Sequence, residues 1–158
     1  MAPLILMVVG CIAFRLAAIA GLLHAADSWP GALRLALALM FAFTGLAHFL
    51  PRGRREMIPM VPPEFPRPDL LVTISGILEL LGAAGLLLPA FARASAYSLI
   101  ALLVAMFPAN VRAARLRLMV VGRPAMPLAF RLPLQLFWIG SLWWVATAAL
   151  QMFGSGQR

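Results

Sequence analysis

The sequence predicts an all-α fold, a polytopic transmembrane helical bundle of five spans, on three observations. Five long apolar stretches, separated by arginine-bearing breaks, fill almost all of the 158 residues. About 18 apolar residues with few charges are enough to cross the ~30 Å hydrocarbon core as a helix. Between Arg131 and Arg158 there is no charged residue, and between Asp69 and Arg93 only Glu79. Composition agrees: 63% of the chain is hydrophobic, 11% is charged, and the mean hydropathy is +0.96. Soluble domains are about half apolar and about a quarter charged. In lipid the apolar residues become background, and the few polar groups inside the spans carry the information.

The first span covers about 3–26, with Arg15 near its middle. It lacks the positive n-region of a signal peptide and is expected to be retained. The second, about 31–50, opens with Arg34, whose stem can snorkel to the interface, and closes on His48. The third covers about 70–88 and stops at Pro89. The fourth covers about 93–110, with Pro108 in its last turn. The fifth covers about 132–153. The 51–69 connection holds six prolines (Pro51, Pro59, Pro62, Pro63, Pro66 and Pro68) and is expected to be an extended, turn-rich loop, not a regular helix. The 111–131 connection, rich in arginine, is expected to prolong the fourth span before breaking at Gly122. The other two connections are short, so spans one and two, and three and four, are expected to be antiparallel neighbours in a single transmembrane domain, 1–158.

All thirteen basic residues are arginines, against five acids. No arginine run is interleaved with stacking aromatics, so the charge does not point to nucleic acid. It sits at span ends, where it meets anionic headgroups of the lipid bilayer. Arg52, Arg54, Arg55 and Arg67 lie in one long loop, and Arg112, Arg115, Arg117, Arg123 and Arg131 in the other. With five spans those loops share a face with the N-terminus. The opposite face holds Arg34, Arg93 and Arg158. Nine against three predicts an N-terminus in the cytoplasm and a C-terminus outside. Trp29, Tyr97, Trp143 and Trp144 fall at the outer end, as an aromatic belt would.

Arg15 and Glu79 are the two mid-span charges, and equal depth predicts that they pair. Such a pair either locks the first span to the third or holds Glu79 as a proton-binding or ligand-contacting carboxylate. Thr44 and His48 lie four apart on one face of the second span, and Ser75 and Glu79 four apart on the third. Asn110 ends the fourth span and Gln135 starts the fifth. Thr44, His48, Ser75, Glu79, Asn110 and Gln135 are expected to point into the bundle, because polar groups in hydrocarbon need partners. They would form either one polar pocket or a structural network. Glu79 lies about 14 Å along its helix from Leu70, whereas His48 sits at its span end, so the two need not touch. His48 reads as a hydrogen-bonding group sooner than a metal ligand, since His24, the other imidazole, falls at the opposite face. Cys11 is the sole cysteine and excludes an internal disulfide or a CxxC pair. There is no hydrolase triad, phosphate loop or zincin motif. Ser75, Gly76, Gly82, Ala83 and Gly85 allow close helix approach to the third span.

The ordered set Gly45-Leu-Ala-His48-Phe, Met60-Val-Pro-Pro63, Ser75-Gly-Ile-Leu-Glu79-Leu-Leu-Gly82, Phe107-Pro-Ala-Asn110 and Arg131-Leu-Pro-Leu-Gln135 resembles the DoxX family of small membrane proteins, over about residues 31–150. The resemblance implies a four-helix core, to which the first span and its Arg15 are an addition. It also implies a bacterial plasma or inner-membrane location and a role beside membrane redox complexes. His48, Glu79, Asn110 and Gln135 are the polar positions of that pattern. Two functions follow. One is a noncatalytic subunit or assembly partner of a membrane redox or respiratory complex, favoured by the lack of a catalytic set. The other is a binding protein or enzyme for a small lipophilic molecule, such as a quinone or lipid, held around Glu79. No motif encodes a cofactor.

Overall fold

A computed structural model describes residues 2–120 and 122–154. Arg158, counted above for the outer face, lies outside them. The chain forms α1 (Ala2–Ile19), a 3-10 turn (His24–Ala26), α2 (Trp29–Ala47), α3 (Pro51–Met57), a second 3-10 turn (Ile58–Met60), α4 (Pro68–Leu87), α5 (Ala92–Ala105), α6 (Phe107–Arg115), a two-residue hairpin of β1 (Met119–Val120) and β2 (Arg123–Pro124), and α7 (Leu128–Gly154). α1, α2, α4, α5 continued by α6, and α7 are each long and apolar enough to cross a membrane. The protein is therefore all-helical in its main body, with five membrane-crossing candidates.

α2, α4, α5 and α7 close on one another, and α1 lies outside against α2. The centre is four fully buried leucines, Leu37, Leu86, Leu99 and Leu142, one from each of the four. Lipid tails are as apolar as leucine, so close packing of helices, not transfer from water, holds such a bundle. Glycines permit it. A Cβ on Gly82 would fall 2.5 Å from Leu99, so α5 rests directly on the α4 backbone.

Helix ends follow local chemistry. Ser28 caps α2, its hydroxyl accepting from the Gly31 amide at 3.2 Å. α1 ends sooner than the apolar run implies. Gly21 adopts φ +75°. Its amide donates to the Ala18 carbonyl at 2.8 Å and the Leu22 amide to that of Ala17 at 2.9 Å, the paired bonds of a Schellman stop. The first helix thus ends at Ile19, and Arg15 lies one turn from its end.

The proline-rich connection is not the irregular loop expected. Pro51 occupies the start of α3, where its missing amide hydrogen is harmless, and the next proline is Pro59, which leaves room for two turns. Pro68 likewise opens α4. The second long connection prolongs the fourth span, as expected, but through a break at Met106, after which Pro108 restarts the chain as α6. Gly122, at φ +72°, turns the hairpin. α7 begins four residues before the expected start and carries Pro133 inside it.

Candidate functional site

Thr44 and His48 from α2 meet Ser75 and Glu79 from α4. The Thr44 hydroxyl donates to Glu79 Oε2 at 2.5 Å, and His48 Nε2 lies 3.4 Å from Glu79 Oε1. His48 Nδ1 donates to the Val72 carbonyl at 2.9 Å and lies 3.2 Å from Ser75 Oγ, whose own hydrogen goes to the same carbonyl at 3.1 Å. His48 and Glu79 retain only 4% and 5% of their exposure. The Thr44 oxygen also sits 3.3 Å from the Phe41 carbonyl, but its single hydrogen favours the shorter, charge-assisted contact.

Two glycines make this contact physically available. A Cβ on Gly76 would stand 2.6 Å from His48 Cβ, and one on Gly45 would stand 3.2 Å from Glu79 Cβ. Gly45 precedes His48 by three residues, and Gly76 precedes Glu79 by three. Across the antiparallel pair, each helix offers a glycine to the other's ionisable residue. This reciprocity was present in the sequence as two G-x-x-(H/E) spacings, a signal readable only once the helices are known to be neighbours.

One expectation is overturned here, and one open point is answered. Arg15 does not pair with Glu79. It donates to the Ala26 carbonyl at 3.3 Å, and its guanidinium lies 5.8 Å from the Trp29 ring centroid. The cause is the early stop of α1, which moves Arg15 from mid-span to the span end. Conversely, His48 and Glu79 do touch. The first two turns of α4 overshoot the end of α2 and pack beside α3, where Arg54 donates to Thr73 Oγ1 at 2.7 Å and to the Asp69 carbonyl at 3.0 Å. The middle of α4 therefore lies level with the end of α2.

Asn110 and Gln135 belong to a second group. Arg131 donates to Asn110 Oδ1 at 2.7 Å, Asn110 Nδ2 donates to Gln135 Oε1 at 3.5 Å, and Gln135 Nε2 donates to the Leu103 carbonyl at 2.8 Å. Leu103 lies in the last turn of α5, where the break at Met106 leaves carbonyls without helical partners. No hydrogen bond joins this group to the first among the described residues. The sequence marks Arg131 as a loop-end charge and as the head of the Arg131-to-Gln135 run; its place four residues before Gln135, on one face of α7, is the signal that ties it to the group.

No buried side-chain nitrogen or oxygen among the described residues lacks a partner. The grooves on the surface lie elsewhere. One of about 540 Å³ runs between α4 and α5 over Leu78, Gly82, Ser95 and Ser98, and one of about 370 Å³ lies between α1 and α2 over Leu6 and Phe43.

No curated protein and no solved structure matches the chain. A family model described as "Domain of unknown function (DUF8561)" matches residues 37–146. That range covers 110 of the 158 residues, includes every member of both polar groups, and omits α1 with Arg15. On this match the chain belongs to the DUF8561 family.

Proposed function

We propose that the chain is a DoxX-like, noncatalytic subunit or assembly partner of a redox or respiratory complex in a bacterial plasma membrane, folded as one domain with its N-terminus in the cytoplasm. The observation that carries this reading is the closed state of the polar core. Glu79, His48, Thr44 and Ser75 bond to one another and to Val72, and no buried side-chain nitrogen or oxygen among the described residues lacks a partner. A carrier built on Glu79 would seat its molecule against that residue, and neither of the two grooves described above is lined by it. The three loop contacts made by Arg54 and Arg112 fit an ordered inner face, and the arginine bias supports its orientation.

Native mass spectrometry of protein extracted in a mild detergent tests the function. A stoichiometric complex with a second membrane protein is the expected result; a lone chain carrying a bound quinone would overturn it. Orientation has its own test. In a Cys11→Ala background, a cysteine at position 116, which is exposed, is expected to resist impermeant maleimide in intact cells. Labelling from outside would reverse the assignment.

A further inference from the structure

We propose that His48 and Glu79 form a proton-binding site that keeps α2 closed on α4 only while the pair carries one shared proton. The tautomer follows from geometry. His48 Nδ1 lies 2.9 Å from the Val72 carbonyl, which only accepts, so Nδ1 carries a hydrogen. Nε2 then faces Glu79 Oε1 at 3.4 Å. With no proton between them, two lone pairs oppose each other beside a buried negative charge. With one, the contact is either imidazolium and carboxylate or imidazole and carboxylic acid. Both forms are electroneutral, and a site with side chains 5% and 6% exposed demands that neutrality. The other carboxyl oxygen accepts from the Thr44 hydroxyl.

Few other charges act on the pair. From α3 the Arg54 guanidinium acts on the imidazole through space, held in place by Thr73 and Asp69. From α2 and α4 the facing groups are the hydroxyls of Thr44 and Ser75. Among the described residues no hydrogen bond or ion pair brings an ionisable group of α1, α5 or α7 to His48 or Glu79. His24 is exposed at the far end of α2.

The direction of the pH dependence follows from counting protons. Besides the Nδ1 hydrogen, a separated histidine and glutamate in water hold one proton between about pH 4.3 and about pH 6.5, none above and two below. The closed seam holds one throughout. Closing therefore takes up a proton above about pH 6.5, so stability falls as pH rises there, by about tenfold in the folding equilibrium constant per pH unit. Below about pH 4.3 closing releases a proton, and stability falls as pH falls. This holds with or without a partner protein.

Unfolding of the detergent-solubilised protein, followed by tryptophan fluorescence between about pH 5 and about pH 9, tests it. The wild type is expected to lose stability above about pH 6.5. Glu79→Gln is expected to abolish that loss, because its amide donates to a bare Nε2 and the closed seam then excludes the proton: its stability is flat above about pH 6.5 and falls as pH falls below it. Parallel profiles for the two proteins would overturn the proposal. Should Glu79→Gln fail to fold, 15N-histidine spectra of the wild type decide the matter. A hydrogen on Nδ1 of the buried imidazole is expected; a bare Nδ1 at neutral pH would refute the shared-proton geometry.

Discussion

The seam between α2 and α4 and the corner where α5, α6 and α7 meet both place polar side chains in an apolar bundle, yet they do so for different reasons. At the seam the helices are intact, and side chains bond chiefly to side chains across a glycine-lined contact. At the corner the helix itself is broken at Met106, and Gln135 reaches a carbonyl that the break leaves open, with Asn110 and Arg131 chained behind it. The seam joins two elements through ionisable groups; the corner repairs one element through neutral amides and a single boundary cation. The difference should appear as a difference in what truncation strands. At the seam it strands a charge or a polar ring, and at the corner a backbone carbonyl.

The largest expected effect breaks the seam. Glu79→Leu leaves His48 without its partner in a buried site and is expected to destabilise the protein by about 3–5 kcal/mol. Adding His48→Leu should restore much of that loss, because the double variant strands no ionisable group. Thermal unfolding of the three proteins in one detergent measures it; a double variant weaker than Glu79→Leu would show that the seam is held by packing alone. At the corner, Gln135→Leu exposes the Leu103 carbonyl to hydrocarbon and should cost about 1–3 kcal/mol. No partner substitution should rescue it, since the stranded group is backbone. Rescue by Asn110→Leu would make the two regions alike. The smallest effect concerns Arg15, half-buried at the end of α1. Arg15→Leu removes one bond to Ala26 and a ring contact with Trp29 and is expected to shift stability by about 1 kcal/mol or less. A loss as large as that of Glu79→Leu would contradict its placement at the boundary.

The corner and the seam also differ in how far the amino-acid sequence foretells them. The five apolar stretches are legible because hydropathy integrates over about 20 residues and tolerates local error. The i, i+4 pairs Thr44/His48 and Ser75/Glu79 are legible for the same helical reason. What fails is relative depth. Matching Arg15 to Glu79 assumed that each apolar run is one helix centred in the bilayer. Gly21 shortens the first run, and Pro68 starts α4 early enough to overshoot α2. A glycine and a proline near the ends therefore reassign the partner of a carboxylate at the centre. α3 is hidden in the sequence because six prolines within 19 residues suggest a loop as a group, whereas the position of each decides its effect. Pro51 begins a helix, and an interior proline would end one.

The lengths of α1 and α7 set how each can sit in a lipid slab. At ~1.5 Å per residue, the 18 residues of α1 reach about 27 Å, just short of the hydrocarbon thickness, while the 27 residues of α7 reach about 40 Å. Tilting shortens the projection of a helix on the membrane normal, so α1 has no length to tilt with, whereas α7 must lean or protrude by about 10 Å. In a thicker bilayer α1 would thin its surroundings or draw on the reach of the Arg15 side chain at its end. The peripheral helix, which packs chiefly on α2, is thus the part of the molecule most responsive to membrane thickness.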